Sequence, residues 1–409
     1  MIMIKKFFSS LALVALLITV SCTKAEKPAK YVFYFIGDGM GFSHVALTEG
    51  YKATKNGKIG SDPLLFTTFP AMGMATTYSA SNYITCSSAA GTALATGHKT
   101  NNSMLGVAPD TSDLKSIAYY IHDAGYKVGI MTSVTIDHAT PGAFYAHSAK
   151  RSDYYAIAAQ LPESGFEFFG GGGFEGLKKQ GDRKSLYELA EEKGYTVAYG
   201  KDDFDSKKGS AEKMIYFQQK GKEREILPYA FSREESDLTL AEVVKGAIET
   251  LDNEKGFFIM AEGGKIDWAA HSNDIVNTIH ETLDMDAAIA VAYEFYKQHP
   301  DETLIVVTAD HETGGVTLGK KKGYVFDLSI VPEHASVETS TDGVTVENYM
   351  DGAAVDSLSN EAKIGWTTTS HTGGAVPVFA VGANSSLFVG RMDNTQIPMR
   401  ILDAMHIQR

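Results

Sequence analysis

The sequence predicts an α/β fold, a three-layer αβα sandwich around a mostly parallel sheet. Three observations carry that reading. Apolar runs of about six residues recur, each with the look of a strand buried on both faces. Helix-like stretches alternate with them, as βαβ units require. Polar residues follow the runs directly, at the sheet rim where open α/β folds bind ligands.

Tyr31–Ile36 (YVFYFI) is the first run, and it ends at Gly37-Asp38-Gly39. A helical stretch at Ser116–Asp123 leads through Gly125 to a strand at Lys127–Thr132. A helix at Leu238–Leu251 leads to Gly256–Ala261 (GFFIMA) and then Glu262. A longer amphipathic helix, Ile275–Gln298, leads to Thr303–Ala309 (TLIVVTA) and Asp310-His311. The sheet resumes at Val376–Val381. Asp38, Glu262 and Asp310-His311 are therefore expected on one rim. Two regions break the alternation. Residues 170–235 are rich in Gly and Lys and read as peripheral. Within them Gly170–Gly173 reads as a tight turn, because Leu177 rather than Lys follows Gly176 and the P-loop pattern fails. Residues 320–365 read as an inserted loop or small subdomain. No internal repeat is visible.

At 409 residues, 44% hydrophobic and 21% charged, the chain has ordinary globular composition. A formal net charge of −13 excludes a broad basic surface for nucleic acid. Bound metals can still reverse the local field and admit anions. Lys5 and Lys6 followed by the apolar stretch Leu11–Val20 read as an export signal over residues 1–21, too short to span a bilayer. Thr19-Val20-Ser21-Cys22 resembles a bacterial lipoprotein box, with Cys22 as the lipidated residue; simple cleavage near Ser21 or Ala25 is the alternative. Residues 22–30 read as a tether and 31–409 as one domain. The expected location is the periplasm, or the outer membrane through a lipid on Cys22. Cys86 is the only other cysteine, so no structural disulfide is expected.

Thr85-Cys86-Ser87-Ser88-Ala89-Ala90-Gly91-Thr92-Ala93 places adjacent hydroxyls at the start of a small-residue helix. Helix N-termini favour anions. The same run also describes a capped helix packed closely on a neighbour. Asp267 and His271, at i and i+4, share a helix face and can share a metal. Asp310-His311 suits a catalytic rim better than a packing role. His371 lies in a Gly-rich turn before an apolar strand. Three histidines with several carboxylates suit Zn²⁺, whereas Thr140, Glu262 and Asp38 would form the harder oxygen site that Mg²⁺ prefers.

These residues resemble the alkaline phosphatase family over most of the chain from Tyr31 to Arg400. The resemblance rests on Gly37-Asp38-Gly39-Met40-Gly41, on Ser87 with Ala89-Ala90-Gly91-Thr92-Ala93-Leu94-Ala95-Thr96-Gly97, and on Ala139-Thr140-Pro141 leading to Arg151. It continues in Glu262-Gly263-Gly264-x-Ile266-Asp267-x3-His271, in Thr308-Ala309-Asp310-His311, and in His371-Thr372. It implies a small inserted crown-like region and variable insertions at about 170–235 and 320–365. It also implies hydrolysis of phosphate monoesters at alkaline pH through a phosphoserine on Ser87. Asp267, His271 and His371 would hold one Zn²⁺, and Asp38, Asp310 and His311 a second. Thr140 and Glu262 would hold a Mg²⁺ that Asp38 bridges, and Arg151 would grip phosphoryl oxygens through its bidentate fork. A homodimer is usual in the family.

Three residues depart from the best-known bacterial pattern. Cys86 stands where an aspartate precedes the serine, which is expected to loosen Arg151 and phosphate. His138 replaces an aspartate near the third metal and is expected to draw that site toward Zn²⁺ or Co²⁺. Trp268 replaces a lysine, either walling the pocket or packing on its helix. A phosphodiesterase of the same superfamily is the nearest alternative, but Thr140, Glu262 and Arg151 favour a monoesterase. A non-catalytic phosphate- or metal-binding surface protein is the alternative of another class.

Overall fold

The computed structural model describes residues 27–218, 226–334, 337–339, 345–347 and 352–409. The expected signal segment 1–21 and Cys22 lie outside these residues. Among the described residues ten strands form the main sheet. In chain order they are β1 (Tyr31–Gly37), β2 (Ala71–Thr76), β3 (Lys127–Thr132), β4 (Phe168–Gly171), β5 (Tyr195–Tyr199), β6 (Lys213–Phe217), β7 (Phe257–Gly263), β8 (Thr303–Ala309), β15 (Val376–Gly382) and β16 (Gly390–Asp393). Among the described residues, three short pairs lie between β8 and β15. These are β9 (Glu312–Thr313) with β14 (His371–Thr372), β10 (Thr317–Leu318) with β13 (Ile364–Gly365), and β11 (Val337–Thr339) with β12 (Thr345–Glu347).

The spatial order of the main sheet is β16-β2-β15-β8-β1-β7-β3-β4-β6-β5. β15 runs antiparallel to β8 and β2, and the other pairings are parallel. All seven residues of β1, β7 and β8 are buried. That is why their sequences read as unbroken apolar runs, and each buried Phe, Ile or Val contributes roughly 1.5–3 kcal/mol. The helix Ile275–Gln298 starts where expected. Asp274 caps it by accepting from the N–H groups of Val276 and Asn277, at 2.9 and 3.0 Å.

Three expectations are corrected. Residues 170–235 are not peripheral, because they supply β5, β6 and the end of β4 to one flank of the main sheet. Gly170 and Gly171 close β4 and do not form a turn. A Cβ on Gly170 would meet Val243 Cγ1 at 2.5 Å, and one on Gly171 (φ +122°) would meet the Thr132 carbonyl oxygen at 1.8 Å. These glycines let β4 lie close against β3 and the helix Leu240–Leu251. The end of the expected tether is already part of the fold. Ala29 is buried, its N–H donates to the Ala404 carbonyl (2.8 Å), and the Lys30 N–H donates to that of Glu302 (2.7 Å).

Residues 320–365 do form a small packed subregion in their described part. Leu328, Val331, Ala362 and Ile364 bury against Leu47 and Tyr51 of the helix Phe42–Lys55 and against Ile275 and Ile279.

Candidate active site

The sheet register explains the rim. Ile36 pairs with Glu262 and Gly37 with Ala309, so Asp38, Glu262 and Asp310-His311 emerge together at the C-terminal ends of adjacent strands. The Gly263-Gly264 turn then starts the helix Lys265–His271. Its i,i+4 spacing brings His271 Nε2 within 3.4 Å of Asp267 Oδ2. His371 was expected in a flexible turn but sits in β14. Its Nε2 lies 3.2 Å from that of His271 and 3.6 Å from Asp267 Oδ1. His311 Nε2 lies 3.4 Å from Asp38 and 3.3 Å from Asp310.

Among the described residues three clusters have ligand atoms all within 4.8 Å of one another: Asp267-His271-His371, Asp38-Asp310-His311 and Asp38-His138-Glu262. Their orientation suits cations. His271 Nδ1 lies 2.7 Å from the Thr369 carbonyl and His371 Nδ1 2.8 Å from that of Thr85. A carbonyl fixes each Nδ1 as the donor and leaves the Nε2 lone pair for a metal. Both Asp38 oxygens, Asp310 Oδ2, Glu262 Oε1 and His138 Nδ1 are buried without a hydrogen bond. Such groups are costly unless a cation completes them. The residues present therefore fit divalent metal, and metal binding is the property these clusters share.

The electrostatics agree. Burial, with neighbouring carboxylates, pushes Glu262 up to about 8 and Asp310 up to about 7, and raises Asp38 well above its ordinary value. The hydrogen bond from Thr132 and the nearby Thr140 hydroxyl, itself buried without a partner, only partly offset this. Burial and then the Arg151 charge push His138 down to about 3, so its imidazole is neutral.

Ser87 opens the helix Ser87–Thr96. It is buried, and its Oγ is 3.2 Å from His311 Nε2. The neighbouring hydroxyl turns away, with Ser88 Oγ lying 3.2 Å from Cys86 Sγ. The small residues of this helix have a packing reason as well: a Cβ on Gly91 would come within 3.1 Å of Thr140 Cα. Arg151 Nη2 stands 3.5 Å from His138 Nε2, and its backbone N–H donates to the Ser103 carbonyl at 2.8 Å. Trp268 meets the His138 ring edge-on at 5.9 Å, so it walls His138.

Cys86, expected to loosen Arg151, lies within reach of the Arg151 charge. Burial raises its pKa, but hydrogen bonds from Ser88 and from the Ser103 and Ala89 N–H groups, with the Arg151 charge, outweigh that and bring it below the ordinary value.

Sequence reasoning missed Thr313 and Glu312. The Thr313 hydroxyl donates to Asp267 Oδ1 at 2.6 Å and lies 3.2 Å from His311 Nδ1, linking two clusters. Glu312 accepts from Thr372 and from the Gly315 N–H, which joins β9 to the strand of His371. The only signal was proximity to His311.

A hydroxyl at a helix N-terminus among carboxylate–imidazole clusters is the equipment of a metal-assisted hydrolase acting on an anionic ester. Comparison with known proteins narrows that class. The sequence pattern of the alkaline phosphatase family matches residues 29–407. The chain is 30% identical to alkaline phosphatase 3 of Bacillus subtilis, over 92% of this chain and 89% of that protein, and 32% identical to alkaline phosphatase 4, over 92% and 88%. It superposes on the alkaline phosphatase of the Antarctic bacterium TAB5 with a TM-score of 0.75 and 30% identity, over 94% of this chain and 99% of that one. Two variants of that enzyme, in which a histidine is replaced by glutamate or aspartate, have structures with Mg bound in the M3 site. The chain belongs to the alkaline phosphatase family and is a phosphatase that hydrolyses phosphate monoesters.

Proposed function

We propose that hydrolysis runs in two in-line steps through a phosphoserine on Ser87. The carrying observation is the position of Ser87 Oγ, 3.2 Å from His311 Nε2 at a helix N-terminus. In the first step Ser87 Oγ attacks phosphorus and gives its proton to solvent, while the ester P–O bond breaks and the departing alkoxide takes a proton from water to leave as the alcohol. In the second step water attacks the phosphoserine, returning Ser87 and releasing inorganic phosphate. Arg151 holds phosphoryl oxygens through its planar fork. Acid-quenched enzyme with substrate should carry phosphate on the Ser87 peptide by mass spectrometry; phosphate found on another residue would assign the nucleophile elsewhere.

Asp267, His271 and His371 would hold one Zn²⁺, and Asp38, Asp310 and His311 a second. Asp38, Thr140 and Glu262, with His138 beside them, would hold a third ion, Mg²⁺ in the family pattern. When bound, the metals supply positive charge for the transferring phosphoryl group and lower the pKa of a coordinated hydroxyl or water. The third cluster and Arg151 favour a monoesterase over a phosphodiesterase.

His138 draws the third site toward Zn²⁺ or Co²⁺, because a neutral imidazole suits these ions better than Mg²⁺. The Mg-holding TAB5 variants with a carboxylate in place of a histidine support this reading. Metal analysis should find Mg²⁺ in the third site of His138→Asp and Zn²⁺ or Co²⁺ in the wild type; an unchanged preference refutes the role.

Cys86→Asp places a full charge beside Arg151. A partly exposed ion pair is worth up to about 1 kcal/mol, so inorganic phosphate should inhibit about fivefold more tightly. An unchanged inhibition constant would remove Cys86 from the phosphate site.

The remaining expectations are proposals too: export, a lipid on Cys22, and a homodimer. Met72, Met74, Leu387 and Val389 are exposed near the β2–β16 edge of the sheet and support an interface there. Light scattering on the purified protein measures the subunit number.

A further inference from the structure

The six residues Glu262–Asp267 carry ligands of two proposed metal sites across one turn. The turn has no side chains of its own to hold it, since Gly263 ends β7 and Gly264 alone precedes the helix Lys265–His271. The turn is closely packed: a Cβ on Gly264 would meet Val134 at 2.8 Å, and one on Gly263 would press on Met285 Sδ at 3.1 Å. Backbone bonds help, with the Gly264 N–H donating to Ser133 Oγ (2.9 Å) and the Asp38 N–H to the Gly263 carbonyl (3.2 Å).

The first side chain after Glu262 able to fasten this joint is Lys265. It is fully buried, which is unusual for a lysine. Its Nζ lies 3.0 Å from Glu281 Oε1, on the helix Ile275–Gln298, and donates to the Pro228 carbonyl at 2.5 Å. The Glu281 carboxylate is buried as well and accepts from the Ala230 N–H at 2.7 Å. Beside it, Arg233 pairs with Asp284 at 2.6 Å, one helical turn along. Lys265 thus ties the ligand-bearing helix to the long helix and to the segment 228–230.

We propose that the buried Lys265–Glu281 pair is a positioning device for the metal centre. It sets the seat of the helix that carries Asp267 and His271, and so determines how tightly the Asp267-His271-His371 site retains its ion. Lys265 touches no reacting group and acts through the helix it anchors. The inference rests on the metal reading of that cluster.

The test separates seating from folding. Lys265→Met strands a buried carboxylate and should lower the melting temperature, as should Glu281→Gln in the opposite sense of charge. The double variant Lys265→Met/Glu281→Gln removes both charges, keeps an acceptor for the Ala230 N–H, and should melt close to the wild type. Zinc-loaded wild type and double variant are then challenged with a chelator, and the metal left on the protein is followed over time. The double variant should release the most labile zinc about tenfold faster, the lower end of the effect of groups that orient ligands. In zinc-saturated buffer its KM should stay near wild type while kcat falls. Lys265→Arg, which keeps the charge, should restore slow release. A double variant that melts and releases zinc like the wild type overturns the proposal and leaves the metal reading intact. A wild-type protein that retains no zinc overturns both.

Discussion

A Ser87→Ala variant is expected to lose at least about 10³-fold in kcat/KM on an aryl phosphate while still binding inorganic phosphate. The size follows from the absence of a good substitute. Ser88 Oγ is buried and turned toward Cys86. Cys86 has a lowered pKa, but Ser88 and the Ser103 N–H occupy its sulfur. Neither stands against His311 as Ser87 does. The fold should tolerate the change. Alanine is a strong helix former, and Cys86 rather than Ser87 occupies the capping position of the helix. Arg151 and the metal ligands remain to hold phosphate. Steady-state kinetics beside a phosphate-binding titration check both halves, and a variant as active as the wild type refutes the nucleophile.

Removing metal should have the other large effect. A chelator should abolish activity and Zn²⁺ should restore it; chelator-resistant turnover would sink the metal mechanism. The metal-free protein should also show a distinctive pH dependence. In the fold Glu262 titrates at about 8 and Asp310 at about 7, against ordinary values of 4.5 and 3.8. The folded state therefore binds these protons more tightly than the unfolded chain does. Their contribution is fully present below the unfolded pKa values and is lost as pH rises through 7 to 8. His138 and His311 act in the opposite direction, since their folded values are depressed, but their effect lies below about pH 6.5. Between pH 6.5 and 8.5 the carboxylates dominate, with a loss of roughly 3 kcal/mol. That corresponds to a fall in Tm of about 4 °C for a chain of this size. Metal-loaded protein should not fall, because cations favour the ionised carboxylates. Calorimetry of both forms at the two pH values measures this, and a metal-free Tm that is flat or rising with pH contradicts it.

Much of this was legible in the sequence because burial leaves a plain trace. β1, β7 and β8 are covered on both faces and read as apolar runs, and their polar tips mark the rim. The Asp267–His271 spacing shows a shared helix face. Nothing in local pattern shows that His371, 100 residues further on, would meet His271; only the family resemblance linked them. β4 to β6 were missed for physical reasons. The glycines of β4 exist to admit Val243 and the Thr132 carbonyl, yet in sequence they look like a loop. β5 is an edge strand with mixed burial and so lacks a clear periodicity. Thr313 carries no charge and sits in a two-residue strand, so its bridging role appears only in three dimensions.

The backbone bonds of Ala29 and Lys30 have one more consequence. The chain enters the fold at the N-terminal ends of β1 and β8, and the metal-ligand clusters lie beyond their C-terminal ends. Seven strand residues, about 23 Å, separate the two poles. Esters therefore reach the clusters, and phosphate leaves them, at the pole opposite the one that Ala29 and Lys30 fasten.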